Sequence, residues 1–477
     1  MEESLSKKTV RGVAWSGIER LASQVIQLVV NVLLARILVP EDFGLIAEIM
    51  IFIQISQILI DSGFSTALIQ RIDRTDTDFC TVFYFNLTIS LLLYAVLFFC
   101  APLIADFYNS PQLVDITRVV SLNFVIAALF SVHKTKLTIE IRFKEQSLIS
   151  VAAAMVSCAC ALLMAFNGFG VWALVGQSLS SFIVQAILTT YITRWMPALT
   201  FSWRSFRNLF SYSSKCLGSS LLNQAYSMLY PMIIGRRFSA IELGFYNRGD
   251  FFAAIPAQTI GNVISRVAFP IFSSIQNETE RLNRAYSKYI QFASAIVFPV
   301  MIGLIVLARP GVVVLLTDKW LPSVPLLQIL ALAWMLDHLS QINLNVLYVK
   351  GRSDLALRLE IIKKSIATAL LIGSMFFGIY AICWSRVVYS IIAVSLNTHY
   401  TRRLIGISRK EQFKDFMPYL LLAVAMGGCI HLVQLAIESD VLKLAVGLPF
   451  GVTCYVMLLY LFRPAFFKEF ISLIKRR

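Results

Sequence analysis

Charged side chains are scarce in this 477-residue chain. Asp, Glu, Lys and Arg make up 14% of the residues, whereas a soluble domain averages about 25%. Because 58% of the residues are hydrophobic, the composition excludes an ordinary soluble protein, whose surface needs more polar groups than this chain can supply. The mean hydropathy of +0.73 predicts an integral membrane protein.

Catalytic and metal-binding signatures are missing as well. None of the eight cysteines forms a spaced pair of the kind that holds a metal or marks a disulfide framework, and Cys158 and Cys160 point to different faces of a helix. His133, His399 and His431 fit no metal-ligand spacing. There is no phosphate-binding loop of the form G-x-x-x-x-G-K-[ST]. We therefore expect no cofactor, no bound metal and no ATP hydrolysis by this chain.

Long apolar runs recur from one end of the chain to the other. Each is about 20 residues long, which is enough to cross ~30 Å of hydrocarbon. In lipid the backbone must satisfy its own hydrogen bonds, so spans joined by such short connections are expected to be helices. The sequence predicts an all-α membrane fold with fourteen transmembrane helices, which start near Val13, Phe43, Phe79, Ile116, Leu148, Gly170, Tyr212, Leu243, Arg284, Pro322, Leu359, Tyr380, Phe416 and Lys443.

Basic residues are concentrated in alternate connections between these runs. One set of connections and the termini hold 32 of the 42 Lys and Arg residues, and the other set holds only seven. By the positive-inside rule this bias predicts that both termini are cytoplasmic. The N-terminal segment MEESLSKKTVRG continues into a long first span without a small-residue cleavage site, which predicts a retained helix. Since topology accounts for the net charge of +15, no nucleic-acid partner is expected.

Two pairs of segments repeat along the chain. ARILVPEDFG (35–44) aligns without a gap with GRRFSAIELG (235–244) at an offset of 200 residues, and FGVWAL (169–174) aligns with FGIYAI (377–382) at an offset of 208. Each segment lies in or next to a predicted outer turn. Two similarities at nearly one offset indicate a duplication.

A repeat unit of six helices crosses the bilayer an even number of times, so both copies would enter the bilayer in the same orientation. The two bundles would then be related by a pseudo-twofold axis along the membrane normal, which is typical of alternating-access transporters. The predicted domains are residues 1–200 and 201–410 for the two six-helix bundles, 411–462 for helices 13 and 14, and 463–477 for an interfacial helix on the cytoplasmic side.

Polar side chains lie at helical spacing inside several apolar runs. Arg20, Gln24, Gln27 and Asn31 follow one another at spacings of 4, 3 and 4, so all four project from one face of helix 1. In lipid such a face must contact protein or water. A packing seam between helices is the alternative, although a seam would not need Arg20. Helices 2, 7 and 8 are also polar on one face, and we predict that the four helices line a central cavity.

The residues of this prediction fall into three groups. The candidate substrate-binding residues are Arg20, Gln24, Gln27, Asn31, Lys215, Asn223, Arg248 and Arg386. The candidate ion-coupling residues are Asp337, His338, Asp61 and Asp250. Glu48 and Arg248 occupy equivalent positions at the 200-residue offset and carry opposite charges. We therefore predict that they form a salt bridge that closes the outer mouth of the cavity in the inward-facing state. The alternative is that the two charges are solvated separately.

Three prolines lie inside predicted helices of the second half, Pro231, Pro256 and Pro299. Each removes a backbone hydrogen bond and favours a kink. No interior counterpart is identified in the first half. The placement predicts that rearrangement is concentrated in the second bundle.

Six stretches of the sequence, taken as a set, resemble a known family. They are similar to the bacterial Wzx-type polysaccharide flippases, and more closely to the colanic-acid exporter branch of the multidrug/oligosaccharidyl-lipid/polysaccharide exporter superfamily. The resemblance covers Met1 to about Arg409. The stretches are LLARILVPEDFGLIA, STALIQR, GFGVWALVGQ, IIGRRFSAIELGFYNR, DKWLPSVPLLQIL and VKGRSDL.

The resemblance implies transfer of an undecaprenyl-pyrophosphate-linked oligosaccharide from the inner to the outer leaflet of the cytoplasmic membrane for surface polysaccharide assembly. Arg20, Lys215, Arg248 and Arg386 would then be candidates to bind the pyrophosphate, because cationic donors suit phosphate oxygens; internal ion pairs are the alternative for each. The coupling ion, if one is used, would be H⁺ or Na⁺. Polysaccharide polymerase machinery is a candidate partner beside membrane lipids, and we expect a monomer.

Two other functions compete with this interpretation. A related ion-coupled exporter of organic cations would require a predominantly acidic cavity, whereas the polar faces here mix bases and acids. A membrane-embedded polymerase or ligase would require a sizeable outer loop that carries catalytic Arg or His, and no predicted outer connection exceeds about fifteen residues. We rank the flippase first, the cation exporter second and the enzyme third.

Overall fold

The computed structural model describes residues 25–61, 64–71, 73–464 and 466–468. Over these residues the secondary structure is helical, without a β-strand. The internal contacts divide the chain into two units, Met1–Gly244 and Phe245–Arg477. This division differs from the predicted boundary at residue 200 because α9 packs against helices of the first unit. The predicted repeat boundaries concern duplication rather than packing, and they stay a prediction.

Nine helices and the first turn of a tenth belong to the first unit. They are α1 (Val25–Ile37), α2 (Pro40–Asp61), α3 (Phe64–Gln70), α4 (Asp76–Tyr108), α5 (Leu113–Val120), α6 (Leu122–Ile139), α7 (Phe143–Phe166), α8 (Val171–Thr193), α9 (Trp203–Arg237) and the start of α10 (Ala240–Ser274).

The second unit contains the rest of α10 and eight further helices. They are α11 (Thr279–Val306), α12 (Ala308–Leu316), α13 (Ser323–Met335), α14 (Asp337–Val349), α15 (Ser353–Ser374), α16 (Ile379–Ile405), α17 (Arg409–Leu435) and α18 (Asp440–Phe462), with a short 3₁₀ turn at Asp318–Trp320.

Several of these helices are long and apolar enough to cross a membrane. Among the described residues there are nine such spans, and α2 provides a tenth if its two parts, which are bent by 42°, are counted as one. Large apolar side chains are exposed along them, for example Phe99, which is 77% exposed, and Leu163, which is 65% exposed. Such exposure suits contact with lipid rather than water. The chain is therefore a multi-pass membrane protein, and the count of fourteen spans stays a prediction.

Many helices begin before the apolar run that predicted them, because a polar first turn precedes the apolar residues. α4 begins at Asp76, and its capping box pairs the Thr75 hydroxyl with the backbone N–H of Asp78 while the Asp78 carboxylate accepts from the N–H of Thr75. Ser408 and Glu411 form the same box at the start of α17. Both boxes satisfy backbone donors that a helix start leaves without intrahelical partners.

Two predicted spans are interrupted. The span predicted from Ile116 consists of α5 and α6, which meet at Ser121, where the serine hydroxyl donates to the carbonyl oxygen of Thr117 at 2.7 Å. The span predicted from Pro322 consists of α13 and α14, which meet at Leu336. Both interruptions lie within stretches long enough to cross the membrane.

The first unit is held together by a buried apolar core and by a close contact between the repeated segments. The core includes Ile49, Ile104, Leu113 and Phe124. At the contact, a Cβ on Gly44 would lie 1.7 Å from the carbonyl oxygen of Ala240, and a Cβ on Gly244 would lie 2.1 Å from that of Pro40. Since a Cβ cannot occupy either position, the two glycines are what allow the backbones to approach.

This contact is reciprocal in the numbering of the duplication. Residue 240 stands 200 positions after Pro40, and residue 244 stands 200 positions after Gly44. The two glycines are therefore equivalent in the duplication, and so are the residues that they contact, Ala240 and Pro40. A local twofold relation between two segments produces this pattern. The repeated sequence is therefore explained in part by packing, because both copies need a small residue at the same place.

The second unit is organised around α11 and α16. α11 packs along α17, while α16 contacts α13, α14 and α15. A fully buried hydroxyl links three of its helices: the Tyr286 oxygen lies 2.8 Å from Asn343 Oδ1 and 2.7 Å from Gln412 Oε1. These bonds fix α11, α14 and α17 in register without a charged group.

The VKGRSDL stretch forms the turn between α14 and α15. Gly351 has a positive φ of 69°, which glycine adopts at little cost. Arg352 Nε and Nη2 each lie 2.9 Å from a carboxylate oxygen of Asp354, and this guanidinium lowers the pKa of Asp354 to about 2. The motif therefore closes a tight turn and starts the next helix.

The expectation that the first half lacks an interior proline is wrong. Pro102 lies inside α4, which continues for six residues beyond it to Tyr108. Pro231 and Pro299 lie inside α9 and α11 as predicted, and α17 and α18 contain Pro418 and Pro449. Proline placement therefore does not single out the second half.

Candidate functional site

The predicted site residues are described to different extents. Arg20 and Gln24 lie outside the described residues, as does most of the predicted interfacial helix 463–477. Asp61, Lys215 and Asn223 fall in α2 and α9, but their side chains are outside the described part. The proposed roles of these residues stay predictions.

A cavity of about 620 Å³ lies within the first unit, between α1, α2, α7 and α8. This volume is within the range of ~300–1,000 Å³ that is typical of small-molecule sites. Gln27 and Asn31, two members of the predicted polar face of helix 1, are both on its wall. The polar residues that line the cavity are Gln27, Asn31, Ser150, Ser157, Gln177, Ser178, Ser181 and Gln185.

The α8 wall of the cavity is a polar stripe in a helix that is otherwise apolar. Gln177, Ser181 and Gln185 are spaced four residues apart, so they lie on one helix face. The amide nitrogen of Gln185 lies 3.3 Å from the Ser181 hydroxyl, and the Ser178 hydroxyl accepts a 2.7 Å hydrogen bond from Asn123 Nδ2. Part of the stripe is thus held in place by neighbouring side chains.

Small side chains on α7 leave room for the cavity. Ser150 and Ser157 lie on one face with an alanine between them at position 154, and all three side chains are small. Nearby, α8 approaches α7 so closely that a Cβ on Gly176 would lie 2.3 Å from the sulfur of Met164. Close packing at Gly176 and small residues on α7 together set the width of the cavity.

Three polar side chains on the wall point to a capacity to bind a ligand. Within the described residues, the side-chain polar atoms of Gln27, Ser150 and Gln177 form no hydrogen bond to protein. An amide offers two donors and an acceptor, and a hydroxyl offers one donor and an acceptor. The cavity therefore presents unused donors and acceptors beside apolar surface from Phe43 and Phe182.

Among the described residues, those that line this cavity include no Asp, Glu, Lys, Arg or His. An anion or a cation placed there would lack a compensating charge on the wall, which costs several kcal/mol in a partly dry environment. The described part of the wall therefore suits a neutral polar group.

Charged groups of the candidate set are found together in the second unit. Arg386 Nη1 lies 2.7 Å from Asp250 Oδ1 and 2.8 Å from the Tyr246 hydroxyl. The indole N–H of Trp334 donates to the same carboxylate oxygen at 2.8 Å, and the Arg386 guanidinium carbon lies 5.4 Å from the Trp334 ring centroid. Asp250 and Arg386, which were assigned to coupling and to substrate binding, are thus a hydrogen-bonded ion pair.

A second group of charges lies on α14 and α15 of this unit. Asp337 accepts a 3.3 Å hydrogen bond from Gln341. Lys363 is one of the 32 basic residues that the charge bias assigns to the cytoplasmic side, yet it is only 6% exposed and pairs with Glu360. The apolar pattern did not indicate that this lysine is buried, because it lies near the start of the span predicted from Leu359, which corresponds to α15.

Both ring nitrogens of His338 contact polar groups of the protein. Its ring is buried, with Nδ1 3.0 Å from the carbonyl oxygen of Met335 and Nε2 3.1 Å from the Ser294 hydroxyl. The Phe298 ring lies 5.2 Å away. Since the Nδ1 contact requires a donor, Nε2 accepts from Ser294. Both nitrogens are used within the protein, which favours Asp337 over His338 as the coupling residue of this pair.

Glu48 and Arg248, the predicted outer gate, are each described in their own unit. Glu48 is 1% exposed in α2, and its Oε2 has no hydrogen-bond partner among the described residues. Arg248 is 6% exposed in α10, with its guanidinium carbon 5.8 Å and 5.7 Å from the ring centroids of Phe251 and Trp320. The proposed salt bridge stays a prediction.

A resident metal site is not evident in the described part of the chain, where no three His, Cys, Asp or Glu residues are grouped to hold an ion. The α7 and α8 walls of the cavity were not predicted from the sequence. Gln177, Ser181 and Gln185 on the α8 wall do have a sequence signal, since three polar residues recur at every fourth position within an apolar run.

Comparison with known proteins gives matches along most of the chain. Residues 33–325 match a protein family described as polysaccharide biosynthesis protein. The chain is 28% identical over 470 residues to the teichuronic acid biosynthesis protein TuaB of Bacillus subtilis (strain 168), covering 96% of each chain. It is 26% identical over 398 residues to the lipopolysaccharide biosynthesis protein WzxC of Escherichia coli (strain K12), covering 83% of this chain and 81% of that protein.

A third relative and two solved structures extend these matches. The succinoglycan biosynthesis transport protein ExoT of Rhizobium meliloti (strain 1021) is 26% identical over 489 residues, covering 100% and 98% of the two chains. The fold is similar to that of the lipid II flippase MurJ in an inward closed conformation, with a TM-score of 0.77, 15% identity and coverage of 95% and 99%. An inward-facing multidrug transporter of the MATE family aligns with a TM-score of 0.61, 16% identity and coverage of 81% and 96%.

Proposed function

Because this chain belongs to the polysaccharide biosynthesis protein family, we propose that it is a flippase that moves an undecaprenyl-pyrophosphate-linked oligosaccharide from the inner to the outer leaflet by alternating access. The expected location is the bacterial cytoplasmic membrane, with both termini in the cytoplasm. Names of the relatives support this proposal, since teichuronic acid, lipopolysaccharide and succinoglycan are all polysaccharide-containing products.

The observation that carries the proposal is a cavity of about 620 Å³ among membrane-spanning helices, whose described wall is polar and uncharged. A sugar headgroup carries many hydroxyls, and each hydroxyl that enters hydrocarbon without a hydrogen-bond partner costs several kcal/mol. A wall of amides and hydroxyls removes that cost while the lipid tail remains in the bilayer. The cavity therefore supplies what the bilayer itself lacks.

The charged part of the substrate needs a different environment. We assign the pyrophosphate to Arg20, Lys215, Arg248 and Arg386, with Gln24 and Asn223 as further polar contacts. Arg386 would have to exchange its carboxylate partner Asp250 for phosphate, or act through that pair. Asp337, Asp250 and Asp61 are the candidates to take up an H⁺ or Na⁺, because one charge moved through 100 mV provides about 2.3 kcal/mol.

An ion-coupled exporter of organic cations is the second candidate. The similarity of the fold to a multidrug transporter of the MATE family favours it. Recognition of a cation would require an acid on the wall of the binding cavity, and the described cavity of the first unit has none. The flippase is therefore the better-supported function.

Reconstitution into liposomes distinguishes the two. A fluorescent undecaprenyl-pyrophosphate-linked oligosaccharide is incorporated, and the label that becomes inaccessible to an impermeant quencher is measured over time, in parallel with uptake of a cationic dye. We expect protein-dependent translocation of the lipid-linked sugar and none of the dye. Dye transport without translocation of the lipid-linked sugar would overturn the proposal.

A matched pair of variants relates translocation to the cavity. Asn31→Leu removes a polar group from the wall and should slow translocation, whereas Asn167→Leu changes an exposed asparagine at the end of α7 and should not. Equal rates for both variants and the unmodified protein would remove Asn31 from the site.

A further inference from the structure

The connection between α8 and α9, residues 194–202, exposes large apolar side chains just beyond the end of a membrane-spanning helix. Met196 is 75% exposed, Leu199 is 92% exposed and Trp203, the first residue of α9, is 69% exposed. Phe201 lies among them and is also exposed. We call these four side chains the apolar patch. A contiguous group of exposed apolar side chains marks an interaction site more often than a bare surface in water.

The backbone that carries the patch is fixed to α4 of the first unit. Thr81 Oγ1 accepts a 3.1 Å hydrogen bond from the backbone N–H of Ser202. The indole N–H of Trp195 donates to Asp76 Oδ1 at 2.8 Å, and the Lys136 ammonium lies 4.5 Å from a ring centroid of this indole. The patch is therefore held in place by specific contacts while its own side chains remain exposed.

Three exposed arginines flank the patch in the sequence, Arg194, Arg204 and Arg207. The segment 194–207 contains no acid, and among the described residues none of the three arginines forms an ion pair. Arg207 follows Trp203 by four positions, so the two share a face of α9. The surface thus combines apolar groups with positive charge that the protein itself leaves unbalanced.

The patch continues the exposed apolar surface of α8 along the chain. Ile183, Ile187 and Tyr191 recur at every fourth position, so they lie on one helix face, and all three are exposed. Because α8 is long and apolar enough to span a membrane, this face suits contact with acyl chains. A lipid surface is therefore the partner already adjacent to the patch in the sequence.

The sequence repeat does not account for the patch. The dipeptide Thr-Arg at the end of α8 recurs at 401–402, 208 residues later. In this alignment Leu199 corresponds to Ile407, which is buried, and Trp203 corresponds to Glu411. The exposed apolar groups are thus specific to the first copy, which indicates a separate role for this connection.

We propose that residues 194–207 form a binding site for anionic phospholipid, at the headgroup level of the leaflet that the charge bias predicts to be cytoplasmic. The patch enters the boundary between headgroups and acyl chains, where tryptophan is enriched. The three arginines bind lipid phosphates, which suit the guanidinium fork. Each basic group near an anionic bilayer surface contributes about fivefold to binding. The inference goes beyond the proposed function, because it concerns the surrounding lipid rather than the cargo.

Quenching of Trp203 fluorescence tests the site in the full-length protein. The protein is placed in nanodiscs that contain brominated phosphatidylglycerol or brominated phosphatidylcholine at the same mole fraction, with the bromines near the headgroup end of the chains. The emission of Trp203 is the difference between the unmodified protein and Trp203→Phe. We expect phosphatidylglycerol to associate about fivefold more strongly than phosphatidylcholine, and aqueous iodide to have little effect. Quenching by iodide instead of lipid, or shielding from both quenchers by a protein partner or a second copy, would overturn the site.

Replacement of the arginines distinguishes an anionic site from general contact with lipid. The triple variant Arg194→Gln/Arg204→Gln/Arg207→Gln should make the two lipids equally effective, while Trp203 stays in contact with lipid. The control removes three exposed charges around the α16–α17 turn and should keep the preference for phosphatidylglycerol; its changes are Arg402→Gln, Arg403→Gln and Lys410→Gln. An unchanged preference in the first variant, or equal quenching by both lipids in the unmodified protein, would contradict the proposal.

Leu199→Glu tests the patch itself and remains informative if the triple variant does not fold. Since Leu199 is almost fully exposed, the substitution removes little packing within the protein. An acid at this position should weaken the association of phosphatidylglycerol with Trp203 about fivefold and increase quenching by iodide. If this variant is quenched by both lipids as the unmodified protein is, the patch does not enter the bilayer and the site is wrong.

Discussion

The Glu48 side chain packs against Gly235 in the first unit. A Cβ on Gly235 would lie 3.1 Å from Cγ of Glu48 and 3.0 Å from Cε1 of Tyr108. A glycine at this position of α9 therefore leaves room for a carboxyl group and a tyrosine ring between helices. Both groups are buried, and within the described residues neither Glu48 Oε2 nor the Tyr108 hydroxyl has a hydrogen-bond partner.

This environment predicts that Glu48→Gln stabilises the protein. Glutamine has nearly the same shape, and the substitution removes a carboxyl group whose burial is not fully compensated by hydrogen bonds. We expect a gain of about 1–3 kcal/mol, measured as a higher midpoint of thermal unfolding in detergent. Glu41→Gln, at the exposed first turn of the same helix, is the control and should stay within about 0.5 kcal/mol. A lower midpoint for Glu48→Gln would show that the carboxylate has a stabilising partner.

The proposed outer gate makes a prediction about transport rather than unfolding. If Glu48 and Arg248 form a salt bridge that closes the outer mouth in the inward-facing state, reversing one charge leaves two like charges opposed. Glu48→Arg and Arg248→Glu should each reduce translocation at least about tenfold, and the double exchange should restore much of it. The liposome assay measures all three variants. A double variant no better than the worse single variant would contradict the gate.

The apolar pattern predicted the helices well because burial in lipid imposes one rule on every span. It placed the start of α8 near Gly170 and that of α16 near Tyr380, where the structure has Val171 and Ile379. It did not predict the interruptions at Ser121 and Leu336, since each lies within a stretch that is apolar enough, on average, to count as a single span. Helix breaks of this kind depend on tertiary packing, which hydropathy does not record.

The candidate site was less predictable than the fold. Gln27 and Asn31 were identified from their spacing, and the structure places both on one cavity wall. The opposite wall depends on which helices are neighbours, and the sequence gives no direct sign that α7 and α8 face α1. A histidine beside an aspartate suggested coupling at His338, and the structure adds that its two nitrogens contact Met335 and Ser294. Its coupling role stays a prediction.

The reciprocal glycine contact predicts a large effect of a single methyl group. Gly44→Ala places a Cβ where the Ala240 carbonyl oxygen lies, and Gly244→Ala does the same against Pro40, so the backbones must separate. Each variant should lose about 1–3 kcal/mol of unfolding free energy. The double variant should lose less than the sum, because the first separation makes room for the second methyl group.

The control for this series is Gly428→Ala in α17, where a Cβ would meet nothing within 4 Å. Alanine is the better helix former by about 1 kcal/mol, so this variant should be neutral or slightly stabilised. Thermal unfolding in the same detergent compares all four proteins. If Gly44→Ala and Gly428→Ala unfold alike, the close approach of the backbones is not a feature of the folded protein.

The Asp250–Arg386 pair predicts that stability and transport can be separated. Among the described residues, Arg386→Met leaves the half-buried Asp250 carboxylate with the Trp334 N–H as its partner, and this should cost about 1–3 kcal/mol of unfolding free energy. Adding Asp250→Asn removes the uncompensated charge and should recover most of that loss. We expect the double variant to remain inactive in translocation, because one group is proposed to contact the pyrophosphate and the other to take up an ion.

The matched control for this pair is Arg281→Met, which breaks an exposed ion pair with Glu278 in the same unit and should unfold like the unmodified protein. Full transport by the Asp250→Asn/Arg386→Met double variant would mean that the pair serves packing alone. In that case the coupling ion would have to bind elsewhere, and Asp337, which accepts a hydrogen bond from Gln341 on α14, would be the next residue to test by substitution with asparagine.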